Sequence, residues 1–446
     1  MSTETSPAAS APLSNEEALA LLSERDRAAE AAAGARSLVD RAGAAVGSIR
    51  VPEFVLFFLL ISGFGPLPVG TYSYVIVLPL LVAMALLRRP TVSLRSREFL
   101  LPLFAVGLFY IFVVSLFGSQ DPEIAADWKG RFLKFAVFTA AMMVIASGRV
   151  DMRSGFWGMT AALALNVPLF YLGLVPATYG KYLTGFLGDK NVSGLTYCIV
   201  GVMAVHFVQR RWLWVLTVLG FAGALWLTGS RTSLAAFAAA IGWILLAPYL
   251  PVVGRWIYAG IIALIVNVIS EDYSQVGVFS DREGSDLLRA RIDEAAELKT
   301  ANAGFFGNGL GDAVLAMEGR TWFFHSSYLT ALVEGGWPWL LFVVGMTVLV
   351  MIQPFKNRVT RGELFGQALG VALLICAWRL GEVFYTHIWA ISMGIAIHMQ
   401  ARALIGKNDE TDEDSSPPDQ HGDAPGALML PKALPGLPEL EKGQHA

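Results

Sequence analysis

The sequence predicts an all-α polytopic membrane protein, and three observations lead there. Of its 446 residues, 55% are hydrophobic and only 15% are charged. Apolar runs of roughly 17–25 residues recur, the length that crosses a bilayer core. Those runs are apolar on every face, whereas helices of a soluble domain would carry polar stripes. The one long polar interruption lies between about Glu271 and Gly336. Three parts are expected: an N-terminal extension (1–50), a membrane domain (51–403) and a tail (404–446). Within the domain, a loop over about 271–327 is the place to look for chemistry.

In the extension, Met1 to Ser14 is rich in Ser, Ala and Pro and reads as disordered. The stretch from Glu16 to Arg50 is rich in Ala, Glu, Leu and Arg, which suits a helix on the membrane surface. No early apolar core marks a signal peptide. About twelve spans follow, at residues 52–63, 72–87, 99–117, 131–146, 155–175, 193–207, 212–228, 233–249, 255–269, 328–352, 364–377 and 381–399. A Gly/Pro hinge, Phe64-Gly65-Pro66-Leu67-Pro68, ends the first, and Gly229-Ser230-Arg231-Thr232 separates the seventh from the eighth. From about Lys407 the chain is acidic, then rich in Pro and Gly, and reads as disordered. Cys198 and Cys376 lie in different spans and suggest neither a metal site nor a disulfide framework.

Lys and Arg in the short loops set the expected orientation. One set of loops carries about 12 of them, from Arg88 to Arg361, and the alternate set about 6, including Lys190, Arg231 and Arg379. The richer set belongs in the cytoplasm, with both termini. The loops around Asp189, Arg231 and His325 then face the periplasm or cell exterior.

The residues on that face divide by chemistry. Arg231 follows a glycine at the membrane surface, where its planar fork suits phosphate oxygens or snorkels to lipid headgroups. Arg289 and Arg291 are two apart on an expected helix and cannot point the same way. A solvated charged helix, pairing with Asp286, Asp293 or Glu294, accounts for at least one of them. His325 is suited to move a proton near neutral pH, or to sit in an aromatic belt beside Trp322-Phe323-Phe324. Glu334, inside the next span, must face the interior, orienting an arginine or a histidine or satisfying a buried polar contact. Asp189-Lys190-Asn191 adds polar groups on the same side. Arg379, Glu382 and His387 could form a further polar cluster.

Taken together, these pieces resemble the O-antigen ligase and polymerase superfamily of bacterial envelope glycosyltransferases. The residues that carry the resemblance are Gly229-Ser230-Arg231-Thr232, the loop with its arginine-bearing helix, and Phe306-Gly307-Asn308-Gly309-Leu310-Gly311. His325-Ser326-Ser327-Tyr328-Leu329, Glu334-Gly335-Gly336 and Gly188-Asp189-Lys190-Asn191 complete the set. The chain has Gly304, Asp293 and Ser326 where many relatives carry Pro, Trp and Asn. The resemblance, over about Pro52 to Ala403, implies a C-type glycosyltransferase of the bacterial inner membrane that needs neither metal nor cofactor and binds no nucleic acid. Its donor would be a glycan on undecaprenyl diphosphate. Its acceptor would be a sugar hydroxyl of the lipid A core for a ligase, or a second lipid-linked repeat for a polymerase. His325, Arg289 and Arg231 take the catalytic positions. Arg291, Lys190, Asn191, Glu334 and Tyr328 take substrate-binding ones. One compact exterior loop favours the ligase. A lipid or glycan transporter is the rival from another class, and the chain lacks the clear internal repeat it would predict.

Overall fold

The computed structural model describes residues 48–63, 73–94, 97–121, 124–208, 210–272, 283–317 and 319–414. The expected surface helix before residue 48, the Gly/Pro hinge, loop residues 273–282 and the tail beyond residue 414 lie outside the described residues. Two compact units are distinguished, Met1–Leu404 and Ile405–Ala446, and the described part of the second is helical to Asp414.

The described chain is mostly helical: α1 (Val51–Ser62), α2 (Ser73–Leu86), α3 (Leu100–Phe117), α4 (Trp128–Ala146), α5 (Met152–Tyr171), α6 (Lys190–Phe207), α7 (Arg211–Thr228), α8 (Arg231–Leu246) and α9 (Val252–Asp272). The loop helix α10 (Glu283–Asn302) follows, then α11 (Ser327–Met346), α12 (Arg361–Arg379) and α13 (His387–Asp414). Four stretches have the length and composition to cross a membrane: Leu100–Phe117, Arg211–Thr228, Arg231–Tyr249 and Ser327–Ile352. Val51–Ser62, Ser73–Leu86 and Val252–Val266 are shorter apolar helices. Their starts have local causes. Asp127, Asp151 and Asp189 accept backbone N–H bonds in the first turns of α4, α5 and α6. Thr360 and Glu363 form a capping box on α12.

The core gathers around α6, α12 and α13. Every residue from Ser193 to Ala204 on α6, and from Phe365 to Leu373 on α12, is buried. Helices apolar all round belong where neighbours cover every face. The outer helices instead leave large apolar side chains exposed, among them Phe109 on α3, Leu219 on α7 and Leu264 on α9. Lipid contact would cover them.

α8 and α12 pack together, and they run antiparallel because α6 follows the direction of α8 (Gly194 at Ser230, Gly201 at Phe237) and opposes α12 (His206 at Phe365, Cys198 at Cys376). Their register is fixed low on the pair, where Trp243 Nε1 donates to Gln367 Oε1 at 3.0 Å. Arg231 precedes Trp243 by as many residues as Arg379 follows Gln367, about 18 Å of rise in each case. Arg231 therefore opens α8 at the level where Arg379 closes α12. α6 runs beside them in the α8 direction, with the His206 ring stacked on Phe365 at one end and Gly194 against Ser230 at the other.

Two features differ from the sequence expectation. The loop adds strands to the expected all-α fold: β1 (Val314–Met317) and β2 (Arg320–Phe323) form an antiparallel hairpin, with Val314 opposite Phe323. Gly319, at φ 71°, supplies the left-handed backbone for the turn. The span expected over 328–352 is broken at Gly336, whose φ of 65° and ψ of −166° lie in a region essentially limited to glycine. The break frees carbonyls, and the glycine-rich turn answers them. Asn308 N donates to Val333 O (2.7 Å), Gly309 N to Glu334 O (2.9 Å), and Trp337 N to Phe305 O (3.0 Å). A Cβ on Gly336 would lie 1.9 Å from Phe305 O. Gly336→Ala is therefore expected to cost about 2 kcal/mol or more. Thermal unfolding in detergent would register it, and an unshifted midpoint would argue against a glycine-dependent break.

Candidate active site

His325 sits between β2 and the first turn of α11, with 26% of its side chain exposed. Its Nδ1 lies 3.4 Å from Asp293 Oδ1 on α10. The other carboxylate oxygen of Asp293 is 3.9 Å from Arg379 Nη1 at the end of α12. Arg289, one turn before Asp293, donates from Nη2 to the main-chain carbonyl of Arg379 at 2.6 Å. Helical spacing explains the set. Arg289 and Asp293 are four apart on the face of α10 that also buries Ile292 and Ala296. Arg291 lies exposed on another face. The docking contact uses a carbonyl that a helix C-terminus leaves unbonded.

The segment between α12 and α13 is held against this corner. Ser327 Oγ donates to Leu380 O (2.5 Å) and accepts from Val383 N (2.9 Å). Thr330 Oγ1 donates to Gly381 O at 3.0 Å. These contacts keep the segment out of helix, so α13 begins at His387 rather than near 381 as the sequence suggests. The expected cluster of Arg379, Glu382 and His387 is divided as a result. Arg379 faces Asp293, Glu382 pairs with Arg131, and the His387 ring stacks on Tyr74 at 5.6 Å.

Arg131 and Glu382 meet Glu334 in a second polar centre. Arg131 grips Glu334 with two nitrogens, Nε to Oε1 at 2.9 Å and Nη2 to Oε2 at 3.1 Å, and pairs with Glu382 through Nη1. Glu334 is 2% exposed, and its Oε1 also accepts from Gly311 N at 2.9 Å. Two ion pairs and the Gly311 bond thus join α4, the glycine-rich turn, the broken α11 and the segment before α13. Two small clefts flank this centre, both lined by Arg131, Thr330, Glu334, Gly381 and Glu382. His325 and Arg231 line neither.

Arg231 is the first residue of α8. Gly229, left-handed at φ 67°, ends α7, and Ser230 bridges the two helices. The Ser230 hydroxyl donates to Ser233 Oγ (2.8 Å) and makes no capping bond to the backbone of α8. Lys190 and Asn191 open α6 next door. Asp189 caps that helix, accepting from Asn191 N at 2.7 Å, and Lys190 Nζ lies 5.7 Å from the Tyr179 ring centre. Burial, helped by the neighbouring Asp189 carboxylate, pushes the Tyr179 hydroxyl up to about 12.

Of the sequence candidates, the structure gathers His325 and Arg289 in one corner. It sets Arg231, Lys190 and Asn191 at the same end of the neighbouring helices and turns Arg291 away. Glu334 and Tyr328 are engaged with the protein itself: Tyr328 donates its hydroxyl to Leu374 O at 2.9 Å, and its ring meets Trp378 and Phe384. The sequence reading did not place Asp293, Arg131 or Glu382 among the site residues. The Arg289/Asp293 spacing was the signal for the first. Among the described residues, no three His, Cys, Asp or Glu side chains gather as a metal-binding group.

No protein-family model, no curated protein and no solved structure matches the chain.

Proposed function

We propose that the chain is a membrane-embedded glycosyltransferase. It moves a glycan from undecaprenyl diphosphate onto an acceptor sugar hydroxyl, in the manner of an O-antigen ligase. The observation that carries the reading is the shared level of two sets of groups. His325, Asp293, Arg289 and Arg379 meet at the end of α12, and Arg231 opens the helix packed beside it. A proton acceptor and several guanidinium groups at one end of an apolar bundle suit a donor whose lipid lies in the bilayer and whose diphosphate lies at its surface.

In this mechanism the acceptor O–H loses its proton to neutral His325 as the oxygen attacks the anomeric carbon. A new glycosidic C–O bond forms. The bond to the diphosphate breaks, and its electron pair leaves on the phosphate oxygen. The guanidinium groups of Arg231 and Arg289 offset the charge that gathers there. The N–H groups of the first turn of α8, which Ser230 leaves uncapped, add to that field. The proposal places the chain in the bacterial inner membrane, with this end periplasmic and both termini cytoplasmic.

Purified protein in detergent, given lipid-linked glycan and acceptor, should consume donor and release undecaprenyl diphosphate. No release with either acceptor class would reject the reading. Arg231→Lys keeps the charge and loses the fork, so we expect KM for the donor to rise on the order of 10-fold or more with the fold intact. Unchanged donor use would remove Arg231 from the site. A repeat-unit polymerase shares this donor chemistry and differs in the acceptor. Cells lacking a ligase would accumulate long lipid-linked chains, and cells lacking a polymerase single repeats.

A further inference from the structure

Building on the transfer reading, we infer that Asp293 is a positioning residue for His325. Its carboxylate holds the neutral imidazole as the Nδ1–H tautomer and leaves the Nε2 lone pair for the acceptor hydroxyl. A neutral imidazole has one N–H and one lone pair, and which nitrogen has which is set by its surroundings. His325 Nδ1 is shielded from solvent and lies 3.4 Å from Asp293 Oδ1 without a formed hydrogen bond, and such contacts in a substrate-free site tighten when the reacting complex assembles. A lone pair pointed at a carboxylate oxygen is repelled, and an N–H pointed there is attracted. The arrangement favours the Nδ1–H form. The ring nitrogen left over is then a base.

The carboxylate is itself held in place. Arg379 Nη1 lies 3.9 Å from its other oxygen. α10 is tied to α12 by Arg289 and to the loop's apolar cluster by Ala296, and Ile292 on the same face is also buried. Asp293 is 30% exposed, so it sits at the rim and not in the core. Once His325 has taken a proton, the same carboxylate stabilises the imidazolium that forms. The charge sequence on that corner is Arg379, Asp293, His325. Removing the middle member places a guanidinium and an imidazolium near one another without a counter-charge.

The test reads the tautomer directly. The full chain is labelled with nitrogen-15 histidine and studied by NMR in detergent, with His325→Gln identifying which resonances belong to His325. In the wild-type chain the His325 signals should report a protonated Nδ1. In Asp293→Asn, whose amide can present N–H as well as oxygen, much of the population should move to the Nε2–H form. Asp293→Glu should recover part of the wild-type pattern. An Nε2–H ring in the wild-type chain overturns the inference with no Asp293 variant needed, and so does an unchanged tautomer in Asp293→Asn. Under the transfer assay, Asp293→Asn should lower kcat on the order of 100-fold or more while KM for the donor moves little. A tautomer shift in a chain that transfers no glycan would uphold the grip on the ring and remove the transfer reading. A kcat loss without the shift would do the reverse.

Discussion

Replacing Glu334 with alanine is expected to lower stability by about 3 kcal/mol, the lower end of the cost of breaking a buried ion pair, because Arg131 keeps Glu382 as a second partner. The carboxylate is 2% exposed and meets Arg131 through two nitrogens. It also accepts the Gly311 N–H. Alanine removes all three contacts. It leaves Arg131 with Glu382 as its one carboxylate in this centre, and leaves a backbone N–H buried without an acceptor. Glu334→Gln separates the two effects. It keeps the shape and an oxygen for Gly311 and loses the charge, so its loss should be smaller. Arg131→Met leaves two carboxylates facing each other and should be as severe as Glu334→Ala. In the double variant Arg131→Met/Glu334→Gln the repulsion is gone, and the loss should fall well short of the sum of the singles. The measurement is unfolding in one fixed detergent followed by tryptophan fluorescence. A Glu334→Ala protein within about 1 kcal/mol of wild type would show that the centre does not hold these elements together.

This centre also marks where sequence reading stops. The helical character of the apolar stretches was legible because an apolar run is a local property, and four of the expected spans coincide with helices long and apolar enough to cross a membrane. The glycine-rich turn and the Glu334-Gly335-Gly336 segment were each visible as motifs. Their union was not, because nothing local says that the N–H groups of one will satisfy the carbonyls freed by the other. In the sequence Arg131 is one more charge at the start of a span, and nothing local shows the carboxylates that offset it there. Its partners are 203 and 251 residues away, a pairing that packing alone decides. The hairpin at Val314–Phe323 has four-residue strands, too short for alternation to stand out. Arg289 and Arg291 were half legible. Helical spacing required them to diverge, and Asp293, four residues beyond Arg289, shared the face that turned inward.

His325→Ala should stop turnover and leave the molecule standing. Removing a well-placed general base costs on the order of 10²–10⁴ in rate. The structural cost should be small. The ring is partly exposed, and Asp293 keeps Arg379 as a neighbour when the imidazole goes. The unfolding midpoint should therefore stay near wild type, in contrast to Glu334→Ala. Donor affinity should persist, because the guanidinium groups assigned to the diphosphate are untouched. Added imidazole should restore part of the rate if the cavity left by the ring admits it, since the small base can accept the same proton. Glycan transfer within about threefold of wild type would exclude His325 as the base. The comparison with Glu334→Ala gives the test its force. One variant should lose chemistry with the fold intact, and the other should lose the fold that assembles the chemistry. If both behave alike, the corner around His325 and the ion-pair centre around Arg131 are one structural unit, and the separate assignment of a base fails.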